Sequence, residues 1–363
     1  MNQAPAHRRS DGRPLRVVQW ATGAVGRSVI RGVLDRPGLE LAGVRVFSPA
    51  KDGVDAGVLA GRDPIGVTAT TDTAEILDLD ADCVVHAPGQ LGQPYGDLDT
   101  VCALLASGKN VISLTGLVYP YAQGPGLVAE LEDACKRGGG VSVHGSGVNP
   151  GFMADLMPLV LSRLSRQITH VYARECSDFA GHPSWRMVHD MVGFAKTEES
   201  YLRSLRPART MMRAGFAESL HLVAAGLGIE LDEVDVDVDH RLARHDFTIA
   251  AGRVPKGTVA AARWTFSGLV DGHPVITIEA VHKADAGQVT DWGGPGYAVR
   301  VHGRPSITLT TDEDWVSNGI SAAAAHALNA IPVVCAAAPG IRTFLDLPLV
   351  TGRASVPTRA TAF

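Results

Sequence analysis

Residues 20–26 read Trp20-Ala21-Thr22-Gly23-Ala24-Val25-Gly26, and among the short segments of this 363-residue chain they carry the most definite chemistry. A dinucleotide pyrophosphate needs backbone amides at the start of a helix, and side chains at the points of closest approach hold it away. Gly23 and Gly26 fill the second and third positions of G-x-G-x-x-G, and Ala21 stands in the first. An apolar run leads into this loop and an amphipathic segment leaves it. Ala21, Thr22, Gly23, Ala24, Val25 and Gly26 are therefore read as a pyrophosphate site. An acid at the end of the second strand would hold the ribose 2′-hydroxyl of NAD and repel a 2′-phosphate. The chain instead has Arg45-Val46-Phe47-Ser48-Pro49-Ala50-Lys51. Ser48 and Lys51 become the phosphate contacts, and the cofactor reads as NADP(H), with use of NAD(H) left open. Asn329 is a candidate to close over it.

Hydride chemistry also needs a proton carrier near the nicotinamide, at the carboxyl ends of the strands. Tyr119 follows the fifth strand. His144 and Asn149 flank the crossing into the second half of the chain, with Asn149 suited to hydrogen-bond a carboxamide or a substrate. Glu175, Asp178, His182 and His189 sit around a later strand end. Tyr119, Asn149 and His182 are the leading catalytic candidates. No metal is expected, since the spacing of His182 and His189 fits no common site and neither C-x-x-C nor H-E-x-x-H occurs. Leu114, Leu117, Phe152, Met153 and Phe179 suggest an apolar lining and a small substrate.

These groups need a scaffold, and the hydrophobic pattern supplies one. Short apolar runs at 15–20, 39–47, 83–86, 110–114 and 141–144 alternate with helical segments at 24–35, from 98 to the stop at Gly108, and at 127–137. That rhythm predicts an α/β Rossmann domain, a parallel doubly wound sheet. Asp97 reads as the N-cap of the second helix. After the turn-rich 145–151, a helix is expected over 152–164 and strands at 168–178, 233–239, 259–270, 275–282 and 307–311. Residues 217–226 read as part of a helix, and Asp271-Gly272 is a hairpin turn. The expected domains are a disordered tail (1–14), the NAD(P)-binding domain (15–150), an α+β domain with a mostly antiparallel sheet (151–318), and a C-terminal helix and loop (319–350) packing back on the first domain.

Bulk properties remove other classes. With 45% hydrophobic and 20% charged residues the chain is globular, and a net charge of −5 gives no bulk attraction to nucleic acid. No apolar run approaches the ~18 residues of a membrane span, and 1–14 lacks the apolar core of a secretory signal. Five scattered cysteines fit reduced thiols in a cytoplasmic protein.

The opening V-V-Q-W-A-T-G-A-V-G-R and the strand-plus-loop L-E-L-A-G-V-R-V-F-S-P-A-K-D-G-V-D-A-G resemble the 2,4-diaminopentanoate dehydrogenases and related native amine dehydrogenases, a group with a dihydrodipicolinate reductase-like N-terminal domain. H-G-S-G-V-N-P-G-F at 144–152 and A-L-N-A-I-P-V-V-C-A-A-A-P-G-I at 327–341 extend the similarity over nearly the whole chain. The resemblance implies NAD(P)-linked interconversion of an amine with a ketone plus ammonia, and a homodimer. It also implies a glutamate just after the fifth strand, in a segment like S-T-C-E-E-L-A-Y-P. This chain has Ser113-Leu114-Thr115-Gly116-Leu117-Val118-Tyr119-Pro120, without a carboxylate. That departure points to a different substrate or a different proton carrier. The paired histidines and lysine of dihydrodipicolinate reductase are also missing from Arg174 to Ser184, which sets lysine biosynthesis aside. The function read is an NAD(P)-dependent oxidoreductase acting on a C=O or C=N bond of a small apolar substrate. An NADPH-binding sensor without turnover stays open. So does a Gfo/Idh-type alcohol or sugar dehydrogenase, although its E-K-P segment after strand five is absent.

Overall fold

The computed structural model describes residues 12–89 and 97–353. The tail expected over 1–14 lies outside the described residues except for its last three. Short, mostly apolar runs centred on valine, leucine and isoleucine build the first sheet, because both of its faces are covered by helices. Its strands are β1 (Leu15–Trp20), β2 (Leu39–Arg45), β3 (Ala69–Thr70), β4 (Cys83–His86), β5 (Asn110–Ser113) and β6 (Ser142–Gly145). They lie parallel in the order β3-β2-β1-β4-β5-β6, the Rossmann arrangement. A short strand near the C-terminus, Gly340–Ile341, adds a seventh beside β6. Its two residues are too few to show a strand period in the sequence.

Helices α1 (Ala24–Leu34), α2 (Ala56–Leu59), α3 (Thr73–Asp78), α4 (Leu98–Ala106) and α5 (Pro125–Arg137) connect these strands. Val29, Ile30 and Val33 of α1 share one core with Ala324, Ala327, Leu328, Ile331 and Val334 from the C-terminal helix Gly319–Cys335, while α4 and α5 cover the opposite face. A Cβ at Gly32 would meet a Leu328 methyl at 2.2 Å, so the missing side chain is what lets that leucine seat. Asp97 does not cap α4 with its side chain as the sequence suggested: its carboxylate lies 2.7 Å from His86 Nε2, a buried histidine ending β4. The hydrogen bond to the buried imidazole takes the carboxylate in place of the helix amides.

The second sheet contains β7 (Arg166–Asp178), β8 (Glu233–Leu242), β11 (Val259–Val270), β12 (His273–Lys283), β13 (Gly296–Arg304) and β14 (Ile307–Thr310), with β9 (Phe247–Ile249) and β10 (Gly252–Val254) forming a separate hairpin. Its order is β14-β13-β7-β12-β11-β8, and β7–β12 is its one parallel pair. Asp271 (φ 50°) and Gly272 (φ 74°) join β11 to β12, the positive pair that a two-residue type I′ turn requires. Helix α6 (Leu156–Ser162) is shorter than the 152–164 expected, because residues 151–155 turn and the Asp155 carboxylate caps Leu156. Helix α7 (Glu198–Leu227) runs 30 residues, three times the part expected; Pro207 and Gly215 disguised it, and packing of Phe216 on Phe266 (ring centroids 4.3 Å apart) supports it. Strand β13 had no expectation at all. After α8 (Glu313–Ser317), helix α9 (Gly319–Cys335) returns to α1, and the strand at Gly340–Ile341 is β15. No helix among the described residues is long and apolar enough to cross a membrane.

Candidate active site

The loop after β1 has the geometry of an anion cradle. The Gly23 N-cap supplies no side-chain hydrogen bond, and the first bond of α1 runs from Arg27 N–H to Gly23 O. The amides of residues 24–26 thus lack intrahelical partners and point at whatever sits before the helix. A Cβ added at Gly23 would meet nothing within 4 Å, whereas one at Gly26 would lie 2.0 Å from the Ala21 carbonyl oxygen. Gly23 is open space for a ligand, and Gly26 lets strand and helix close. Ala21 holds a positive φ of 75°, and Gln19 Nε2 donates to its carbonyl at 2.9 Å. A buried side-chain amide thereby secures the turn that a first glycine would otherwise make. The residues present fit a dinucleotide pyrophosphate.

Lys51 reaches back to this loop, its Nζ 3.1 Å from Thr22 Oγ1. Ser48 is exposed and begins the short turn Pro49–Lys51. Arg45 packs against two aromatic rings, 5.4 Å from the Trp20 centroid and 5.0 Å from that of Phe47. Asn329 is not with them. Its Oδ1 accepts from Arg36 at 2.8 Å, just beyond the C-terminal end of α1 and remote from the loop at the other end. One helix turn separates it from His326, which does reach the cleft region, and sequence gave no phase to tell the two apart.

A cleft of about 530 Å³ opens at the carboxyl ends of β4, β5 and β6, between the two sheets, with Val25 from the first turn of α1 on its wall. Its second-domain side is a polar cluster. Glu175 on β7 accepts from Asn149 Nδ2 at 2.6 Å and from Ser177 Oγ at 2.5 Å. Asn149 Oδ1 is buried and has no hydrogen-bond partner among the described residues. Tyr297, cross-strand from Glu175, keeps its phenol protonated: burial, then the neighbouring carboxylate, push its pKa up. Burial of His282 pushes its pKa down, with Glu175 opposing. Glu218, only 1% exposed, reaches the cleft from α7, and its Oε2 accepts the Tyr119 N–H at 3.1 Å.

Asp155 ties these parts together. This fully buried carboxylate accepts from Gly151 N–H (2.9 Å), which closes the loop bearing Asn149, and from Ser219 Oγ (2.8 Å), which fixes α7 beside Glu218. His326 Nδ1 donates to the Gly147 carbonyl at 2.9 Å while its ring stacks on Phe344. His144 Nδ1 donates to the Arg342 carbonyl at 2.7 Å, and burial pushes its pKa down to about 4.

Other sequence candidates lie elsewhere. Tyr119 contributes its backbone amide, while its phenol packs edge-on against Tyr121 and is not among the lining groups. His182 caps a turn by accepting Ser184 N–H at 3.2 Å, Asp178 accepts from Ala180 and Ala286, and His189 stacks on Trp185. None of the three lines the cleft. Of the expected apolar lining only Leu114 does; Met153 is core, and Phe152 and Phe179 pack against it. Among the described residues no group of three or more His, Cys, Asp or Glu could hold a metal. Sequence reasoning missed Glu218, which stands alone in a helix whose period carries no catalytic signal.

The C-terminal-domain profile of 2,4-diaminopentanoate dehydrogenase matches residues 152–359. An amine dehydrogenase of Streptomyces virginiae is 33% identical over 352 residues, covering 92% of this chain and 96% of the relative. The 2,4-diaminopentanoate dehydrogenase of Acetoanaerobium sticklandii is 26% identical over 357 residues, covering 92% and 94%. The structure of an amine dehydrogenase from Mycobacterium smegmatis superposes with a TM-score of 0.78 at 23% identity, covering 96% of this chain and 99% of the other, which shows a shared fold. The chain belongs to the 2,4-diaminopentanoate dehydrogenase and amine dehydrogenase family, and it is an oxidoreductase of the NAD(P)-linked, Rossmann type.

Proposed function

We propose that the protein interconverts a small, apolar primary amine with a ketone and ammonia, with NADP(H) as the preferred cofactor. The observation that carries this reading is the charge of the cleft: Glu175 and Glu218 line it, and among the described residues no Lys, Arg or His does. Two carboxylates in one cleft attract a cation and repel carboxylate or phosphate substrates. The walls formed by Leu114, Val118, Val148, Val316, Ile320 and Ala323 suit an apolar body.

Residues 21–26 would hold the pyrophosphate. Lys51 and Ser48 favour a 2′-phosphate at the end of β2, where no acid opposes it. A dinucleotide held there would supply the hydride acceptor or donor for the substrate carbon. The chain's own groups position that carbon. Asn149 and Ser177 orient the Glu175 carboxylate toward an ammonium group, and Asn149 Oδ1 is free to accept one of its N–H bonds. In the direction of oxidation the amine cation, NADP+ and water become ketone, ammonium, NADPH and one proton.

This reading includes a homodimer. One face of the second sheet is covered by α7, whereas the other presents Tyr172, Arg263 and Glu279, joined by a 2.5 Å hydrogen bond and an ion pair, to a second copy. Light scattering would then give twice the 38.1 kDa chain mass. The activity is tested by following NADPH consumption with a panel of small ketones, with and without ammonia. Turnover that requires ammonia is expected. Equal turnover without ammonia would establish alcohol chemistry and refute the proposal.

A further inference from the structure

An amine enters the cleft at neutral pH as a cation, and its nitrogen must lose a proton before its lone pair can form a C=N bond. Glu175, held by short hydrogen bonds from Asn149 and Ser177 on the second-sheet side of the cleft, serves to hold the ammonium charge. We infer that Glu218 is the proton acceptor of amine oxidation and the proton donor of the reverse step. This rests on the amine reading above.

The placement of Glu218 carries the inference. Its carboxylate comes from α7, yet Oε2 is fixed against the loop that follows β5 by the Tyr119 N–H, and Thr115 and Gly116 of that loop line the same cleft. The helix cannot drift there. Ser219 Oγ is bonded to Asp155, Gln123 Nε2 donates to the Ala214 carbonyl at 2.9 Å, and Phe216 stacks on Phe266. Gly215, one turn before Glu218, also lines the cleft, and a Cβ there would meet nothing within 4 Å. Open room for a substrate thus lies beside an immobilised, 1%-exposed carboxylate at the carboxyl end of β5, where a nicotinamide meets its substrate. A loop without a carboxylate is served by one from α7.

In the step, an N–H proton of the ammonium passes to a Glu218 oxygen. The C–H electron pair leaves as hydride to the bound dinucleotide while the nitrogen lone pair forms C=N. Water then adds to that carbon and ammonia departs as ammonium, taking the proton that ketone formation releases. Glu218 returns its own proton to solvent.

The test compares wild type, Glu218→Gln and Glu218→Asp. Loss of a general base costs about 100- to 10,000-fold in kcat, so Glu218→Gln should fall in that range while its NADPH affinity stays within about twofold of wild type. Glu218→Asp should fall between the two and keep the acidic limb of the pH profile, which Glu218→Gln should lose. A second readout needs no turnover. A tertiary-alkyl primary amine has no hydrogen on the carbon bearing nitrogen and cannot be oxidised; adding it to the complex with NADP+ should produce the infrared signal of a protonated carboxyl group in wild type and not in Glu218→Gln. Persistence of that signal in Glu218→Gln, or a kcat near that of wild type, would overturn the assignment and leave the amine reading standing. A wild-type protein that binds NADPH and oxidises no amine would sink both. Should Glu218→Gln not fold, the infrared signal of wild type against Glu218→Asp decides: a carboxyl band unmoved by the shortened side chain refutes the assignment.

Discussion

Replacing Gly23 by alanine separates binding from folding more cleanly than any other change in this protein. The backbone there has an ordinary φ of −68°, and the added Cβ meets nothing within 4 Å. The apo protein should therefore melt within about 1 kcal/mol of wild type, the backbone-entropy gain of Gly→Ala being opposed by alanine's poor fit at an N-cap. The methyl group occupies the space through which a pyrophosphate approaches the amides of residues 24–26. Losing one charge-assisted hydrogen bond costs about 1.5–3 kcal/mol, so NADPH affinity should fall roughly 10- to 100-fold. Gly26→Ala is the contrasting change. Its Cβ would sit 2.0 Å from the Ala21 carbonyl oxygen and 2.9 Å from Gln19 Nε2, so β1 and α1 must part by more than an ångström. After the helix-propensity gain, a net loss near ~2 kcal/mol is expected, a fall of about 4–8 °C in Tm. Fluorescence titration with NADPH and melts with and without NADPH read both effects. If Gly23→Ala bound NADPH within about twofold of wild type, the loop would not be the pyrophosphate site, and a wild-type melt for Gly26→Ala would refute the packing argument.

Four further outcomes follow from particular contacts. Lys51→Ala should weaken NADPH by roughly tenfold and NADH by much less, since a lysine on a 2′-phosphate is worth about 1–2 kcal/mol; equal loss for the two would remove Lys51 from the phosphate subsite. Glu175→Gln should raise the KM for amine roughly 10- to 100-fold with NADPH affinity retained, and an unchanged KM would refute the ammonium contact. His144 has its folded pKa pushed down to about 4 by burial, against 6.5 for the free group. The unfolded chain takes up its proton first, so the stability held above pH 6.5 is lost as pH falls toward 4, at ~1.4 kcal/mol per pH unit and about 2 kcal/mol by pH 5. Thermal melts between pH 7 and 5 should be steeper in pH for wild type than for His144→Gln, and parallel curves would exclude this residue. Leu328→Ala, which empties the notch over Gly32, should cost about 2–5 kcal/mol, read by denaturant titration; a loss below ~1 kcal/mol would show that α9 is not integral to the first core.

Whatever depends on a repeating local pattern was legible in the chain. The buried strands Leu15–Trp20 and Cys83–His86 read correctly to the residue because a parallel strand covered on both faces is mostly apolar. The loop after β1 was legible as a strand-to-helix turn of small residues for a related reason: its glycines and the helix start are contiguous, so spacing alone specifies them. Single positions brought together by folding left no such trace. Glu218 meets the loop of Tyr119 across 99 residues, Asn149 meets Glu175 across 26, and Asp155 joins both groups through Gly151 and Ser219. Asn329 and His326 face different surroundings on one helix, and only the angle at which α9 crosses α1 settles which of them approaches the cleft. Period and composition thus determined the Rossmann half and the glycine-bearing turn after β1, whereas the docking of α7 and β7 against the carboxyl ends of β4–β6 decided where the charge lies. Long-range packing made that choice, because a buried carboxylate is tolerated only where distant donors converge on it.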